Sequence, residues 1–111
     1  MQKDKDMKEC LNRAFRKYPP EQNGGCFQAT RWILKNCSKH FPGGLKEARL
    51  KIRNKCGDVT HCVAVDDKGN IIDTQYQQFG LILPNIPFGS RKCVFTKEEH
   101  EKMLPRYEIG Q

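Results

Sequence analysis

Residues 60–76 read THCVAVDDKGNIIDTQY, two runs rich in β-branched residues around the polar pentad Asp66-Asp67-Lys68-Gly69-Asn70. That pattern predicts a β-hairpin whose Gly69 supplies the left-handed residue of a short loop. If the loop is Asp67-Lys68-Gly69 and Asp66 pairs with Asn70, then Val63 faces Asp73 and His61 faces Gln75, all on one side of the sheet. Asp73 then becomes the diagonal neighbour of His61, about 7–8 Å away along the backbone and within side-chain reach. An aspartate in the apolar company of Ile71, Ile72, Val63 and Val65 is costly to bury alone, and the His61 imidazole is its best available partner.

Upstream of the hairpin, EARLKIRNK (47–55) alternates Ala48, Leu50 and Ile52 against Arg49, Lys51 and Arg53, the pattern of a half-exposed strand, with Cys56-Gly57-Asp58 as a turn. Further back, Met7, Cys10, Leu11, Ala14, Phe15 and Tyr18 form one stripe of an amphipathic helix that stops at Pro19-Pro20. CFQATRWILKNCSKH (26–40) is a second helical stretch, apolar on more than one face and therefore central. Downstream, NIIDTQY continues as strand, turn signals at Pro84, Pro87 and Gly89 mark loops, and Lys92–Phe95 is a possible short strand. Thr96 with Glu99 three residues later is a capping box for a short helix reaching Leu104. The order predicts an α+β fold, one domain over 1–111, with a helical layer packed on a small antiparallel sheet.

Asn23-Gly24-Gly25-Cys26 sets a cysteine at the start of the central helix, and its two glycines permit a tight turn and close substrate approach. The partial positive charge of a helix amino end, and a nearby imidazolium, favour thiolate over thiol. Cys26 in a helix head, His61 on a strand and Asp73 on the next, in that chain order, form a candidate nucleophile, base and orienting group. The sequence here resembles papain-like cysteine hydrolases. It is most similar to the papain-fold toxin domains and protein-glutamine deamidases of bacterial polymorphic toxins, including the contact-dependent growth inhibition type. The likeness rests on HCVAVDDKGNIIDTQ and spans about Gln22 to Gln75.

That resemblance implies a papain-like core with Cys26 as nucleophile, His61 as base and acid, and Asp73 as the group that orients the ring. It matches Gln75 to a family glutamine of open role. The position six before the cysteine, where papain-like peptidases carry an oxyanion-hole glutamine, is Pro20 here, which leaves Gln22 or Asn23 as weaker oxyanion or substrate-positioning candidates. It also implies a toxin or effector module delivered from a secreted or cell-surface bacterial protein into a target-cell cytoplasm. A protein would be its substrate and a cognate immunity protein its partner. Deamidation, peptide cleavage and acyl transfer share the same first step and stay open.

The composition agrees with several partners. Twenty Lys and Arg against thirteen Asp and Glu give a net charge of +7 and a pI near 9.2, suited to an acidic partner, immunity protein included, or to nucleic acid. A ribonuclease using His61 with His40 or His100, and a non-catalytic binding module on the same fold, are the alternatives. Cys37-Ser38-Lys39-His40 has the spacing of half a zinc site that Cys56, Cys62 or Cys93 could complete, but no second tight pair exists, so neither metal nor cofactor is expected. No apolar run approaches the length of a membrane span, and MQKDKDMKEC lacks the apolar core of a signal peptide, so no membrane insertion is expected. Cys10 and Cys37 fall on apolar stripes and read as core thiols, Cys26 as unpaired and reduced, with at most two disulfides among the other five cysteines.

Overall fold

The computed structural model of the chain describes residues 2–19, 25–54, 57–76, 92–104 and 106–108. Two long antiparallel strands, β1 (Lys46–Asn54) and β2 (Gly57–Val65), make its backbone of order, in register from Lys46↔Val65 to Asn54↔Gly57. Gly57 and Asp58, expected in a turn, belong to β2, because the alternating pattern of β1 extends its ladder to Gly57. β3 (Ile71–Ile72) continues the meander, and β4 (Val94–Phe95) and β5 (Arg106–Glu108) complete an antiparallel sheet of order β4-β3-β2-β1-β5. β5 carries no alternating run long enough to announce it in the sequence.

The β2–β3 turn takes the expected register. Asp66 N–H donates to Asn70 C=O at 3.0 Å, Ala64 pairs with Ile72, and Gly69 has φ +84°. The Asp66 carboxylate holds the turn by accepting from the Lys68 and Asn70 N–H groups at 2.9 and 2.8 Å. The second strand is shorter than expected. Pairing with β2 ends at Ile72: Asp73 N–H still donates to Cys93 C=O at 2.8 Å, in the register of β3 with β4, but the Asp73 side chain accepts from Gln75 N–H at 2.8 Å. A short polar side chain that bonds its own backbone two residues on competes with the ladder and turns the chain off it.

Two helices cover one face. α1 (Gln2–Lys17) buries Cys10, Leu11, Ala14 and Phe15; α2 (Cys26–Cys37) buries Cys26, Ala29, Thr30, Ile33 and Cys37 and gives way to a 3₁₀ turn at Ser38–His40. Ala64 and Ile72 share one apolar cluster with Cys10, Leu11, Ala14, Phe15, Ile33 and Cys37, so α1 and α2 lie on that side of the sheet. Thr30 Oγ1 donates to Cys62 C=O at 3.0 Å and ties α2 to β2. Leu50, Ile52, Val63, Ile71 and Phe95 pack on the opposite face with Tyr76 and Leu104. There α3 (Lys97–Met103) opens on a full Thr96–Glu99 capping box, as its sequence predicts. The architecture is α+β.

Cys10 and Cys37 are buried, but they are not thiols: a disulfide with Cα atoms 5.9 Å apart joins α1 to α2. The expectation of core thiols is corrected for a simple reason. Two cysteines on facing apolar stripes meet when the helices pack, which periodicity within each helix cannot reveal. Cys26, Cys62 and Cys93 are buried and form no disulfide among the described residues. Gln22, Asn23, Gly24, Cys56 and the Pro84–Gly89 turns lie outside the described residues.

Candidate active site around His61 and Asp73

Alternation along β2 puts His61 on the face of Val63, opposite Cys62 and Ala64, and its ladder partner Leu50 belongs to that second cluster. Its ring is fully buried, and Nε2 stands 2.7 Å from Asp73 Oδ2. Cys26 acts on the same ring, and its thiol adds to the proton affinity of His61. Cys26 is the first residue of α2 and is 6% exposed. The N-cap Gly25 has no side chain with which to cap that helix end, and its C=O accepts the first helical bond from Ala29 N–H at 2.8 Å.

The four residues after Ile72 assemble the group. Asp73 contributes its carboxylate, and Gln75 N–H fixes the far oxygen Oδ1. The Gln75 side chain, 1% exposed, donates from Nε2 to Tyr18 C=O at the end of α1 (2.7 Å) and lies against Gly25. A Cβ on Gly25 would stand 3.2 Å from Gln75 Oε1, so the chain entering α2 passes closest where it has no side chain. Gly25 has φ −89° and ψ −5°, a conformation open to any residue. At Gly25 the need is for room; Gly24, the other glycine of the expected tight turn, lies outside the described residues.

Burial opposes the charged form of His61, but the Asp73 carboxylate and the bonds to Asp73 and Cys26 outweigh it and raise the ring from 6.5 to about 9. Burial would likewise raise Asp73, yet the His61 charge and the hydrogen bonds from His100 and His61 hold its carboxyl far below the usual range. Two other buried thiols are shifted upward. Burial pushes Cys62 up to about 12 against a hydrogen bond with Thr30, and burial and the Asp73 charge push Cys93 up to about 12.

His100, buried in α3, is the member the hairpin could not foretell. Its Nε2 reaches the same Asp73 Oδ2 at 2.8 Å. Nearly parallel to His61 and 6.5 Å from it between centroids, its ring lies edge-on to Phe95. The capping box that starts α3 at Thr96 was the available signal, because it places His100 on the helix's second turn facing the sheet. Ligand atoms of His61, Asp73 and His100 lie within 4.8 Å of one another, close enough to share a metal ion. The two N···O separations are hydrogen-bond distances, shorter than the roughly 3.3 Å between donors tetrahedrally bound to zinc. Cys37, one half of the C-x-x-H pair, is held in the disulfide. A separate cavity of about 260 Å³ between α1 and α2, lined by Asp6, Arg13, Trp32 and Lys39 among others, includes none of the His61 group.

No family profile, no curated protein and no solved structure matches this chain.

Proposed function

We propose that the chain is a papain-like cysteine hydrolase acting on an amide, a toxin or effector domain whose target is a glutamine side chain of a protein. The observation that carries this reading is one buried imidazole bonded to a buried carboxylate, with its proton affinity raised further by Cys26, the first residue of the central helix. The high proton affinity of His61 suits it to take the thiol proton and hold it beside the resulting thiolate. The partial positive charge at the head of α2, where the N-cap is Gly25, favours the same anion.

In this mechanism the Cys26 thiolate adds to the amide carbonyl carbon, and the C=O electron pair moves to oxygen. Collapse of the tetrahedral intermediate breaks the C–N bond, and the nitrogen leaves with the proton from His61. Water, deprotonated by His61, then attacks the thioester, releasing a carboxylic acid and returning the proton to the sulfur. Deamidation and peptide cleavage differ only in whether ammonia or a chain amine leaves. A protein substrate, a cognate immunity protein complementary to the net charge of +7, and delivery into a target-cell cytoplasm belong to this reading. The ribonuclease alternative needs two rings facing a phosphate, whereas His61 and His100 both turn Nε2 to one buried carboxylate.

Iodoacetamide at neutral pH tests the chemistry. Cys26 is expected to react well before Cys62 and Cys93, whose thiols stay protonated, and equal labelling of the three removes the proposal. Mass spectrometry of proteins exposed to the domain then distinguishes glutamine converted to glutamate from a cut chain. Cleaved RNA with intact proteins would favour the ribonuclease.

A further inference from the structure

Asp73 Oδ2 receives two rings at almost equal distance, His61 at 2.7 Å and His100 at 2.8 Å, while Oδ1 is held by Gln75 N–H. An ionised carboxylate only accepts hydrogen bonds, so both Nε2 atoms carry hydrogen. For His100 this fixes the tautomer. Its Nδ1 is buried without a hydrogen-bond partner, which a bare lone pair tolerates better than an N–H would. Phe95 packs against the ring, and the Thr96–Glu99 box sets the helix that carries it. Both devices hold the second donor in place.

We propose that His100 is a positioning residue of this site, whose Nε2–H takes a share of the Asp73 charge and so limits how tightly the carboxylate holds the proton of His61. A carboxylate whose reacting oxygen already accepts one bond is a weaker partner for the next donor. The consequence for amide hydrolysis rests on the cysteine-hydrolase reading, since His61 must release its proton to the leaving nitrogen. The effect on His61 itself does not. The groups around it are Asp73, Cys26 from α2, His100 from α3 and, within the field of Asp73, Cys93 ahead of β4.

Histidine ¹H–¹⁵N spectra, recorded against pH on the full chain, test this apart from any activity. His100 is expected in the Nε2–H tautomer in the unmodified protein. His100→Phe, which keeps the aromatic volume and removes the donor, is expected to raise the His61 midpoint by about one pH unit. His100→Gln, which can return an N–H to the carboxylate, is expected to restore most of that shift. A proton on His100 Nδ1, or a His61 midpoint unchanged or lowered in His100→Phe, overturns the proposal. The tautomer in the unmodified protein decides it even if His100→Phe does not fold. Equal alkylation of all free cysteines beside a raised midpoint would instead sink the hydrolase and leave His100 standing.

Discussion

The two faces of the sheet solve burial in opposite ways. The face under α1 and α2 is filled by Leu11, Ala14, Phe15, Ile33, Ala64 and Ile72 and fastened by the Cys10–Cys37 disulfide. The other face sets Leu50, Val63, Tyr76 and Phe95 around fully enclosed His61, Asp73 and His100. Apolar packing accepts any well-shaped filling, while a buried carboxylate between two imidazoles accepts very few replacements. The first face is built for stability. The second carries polar groups that stability alone would not select, since a buried ion pair gives little net stability over an apolar core.

The sharpest separation of the two roles comes from Cys26→Ala. At the boundary of the helical layer the thiol fills little volume, so unfolding free energy should move by no more than about 1 kcal/mol. Turnover should fall by more than about 10⁴-fold, as expected when a nucleophile is removed. Turnover close to that of the parent protein, measured on the substrate that mass spectrometry identifies, would end the hydrolase reading.

Asp73→Ala is expected to break the polar face itself, by about 3–5 kcal/mol in chemical denaturation, because it leaves two buried imidazoles without their acceptor. Asp73→Asn keeps one oxygen and should weaken rather than erase activity. The same pair gives a pH signature. The folded pKa of His61 lies above its ordinary 6.5, so its contribution is full below about 6.5 and is lost as pH rises through about 9. Asp73 is depressed, so its contribution is present above its ordinary 3.8 and fades only in stronger acid. Tm should therefore fall between pH 7 and 9.5 more steeply in the parent protein than in Asp73→Asn, and parallel curves would show that the pair is not charged.

On the helical face the corresponding break is Cys10→Ala with Cys37→Ala. Cross-linking residues 27 apart constrains the unfolded chain by about 3.5 kcal/mol on the chain-entropy account, and that stability should be lost. Cys26 alkylation at pH 7 should change less than about twofold, because no residue of the pair touches His61 or Asp73. A large change in alkylation would mean that the two faces are coupled.

What the sequence disclosed divides along the same line. Both helical stripes, the alternation of β1, the β2–β3 register and the Thr96 cap are local patterns, and each appears in the structure at its expected place. The meeting of His61 with Asp73 follows from that register, because a two-residue period fixes which side chains share a face. Tertiary facts were hidden. His100 joins Asp73 across 27 residues, and Cys10 meets Cys37 only when two helices pack. The early end of β3 turns on a side-chain bond from Asp73 to the Gln75 backbone, which competes with the ladder without altering the apolar pattern.

The smallest expected effect concerns the seam between the faces, where Gly25 enters α2 beside Gln75. The backbone there suits alanine, and replacing glycine by alanine favours folding by about 0.4–1 kcal/mol through the unfolded chain. Against this, the new Cβ would stand 3.2 Å from Gln75 Oε1, and the buried Gln75 amide is tied by Nε2 to Tyr18 C=O and cannot swing aside cheaply. The start of α2 must then shift by a few tenths of an ångström, and overpacking of this kind costs about 1–3 kcal/mol. The net loss for Gly25→Ala should be about 1 kcal/mol. Because Cys26 is the next residue, its alkylation should slow several-fold while Cys62 and Cys93 are unaffected. Gln75→Ala removes the obstacle, so the double variant should show a smaller loss than the sum of the single ones, a coupling of at least about 0.5 kcal/mol in a double-mutant cycle. Strict additivity would mean that α2 is not seated on Gln75, and that Cys26 owes its place to some other contact.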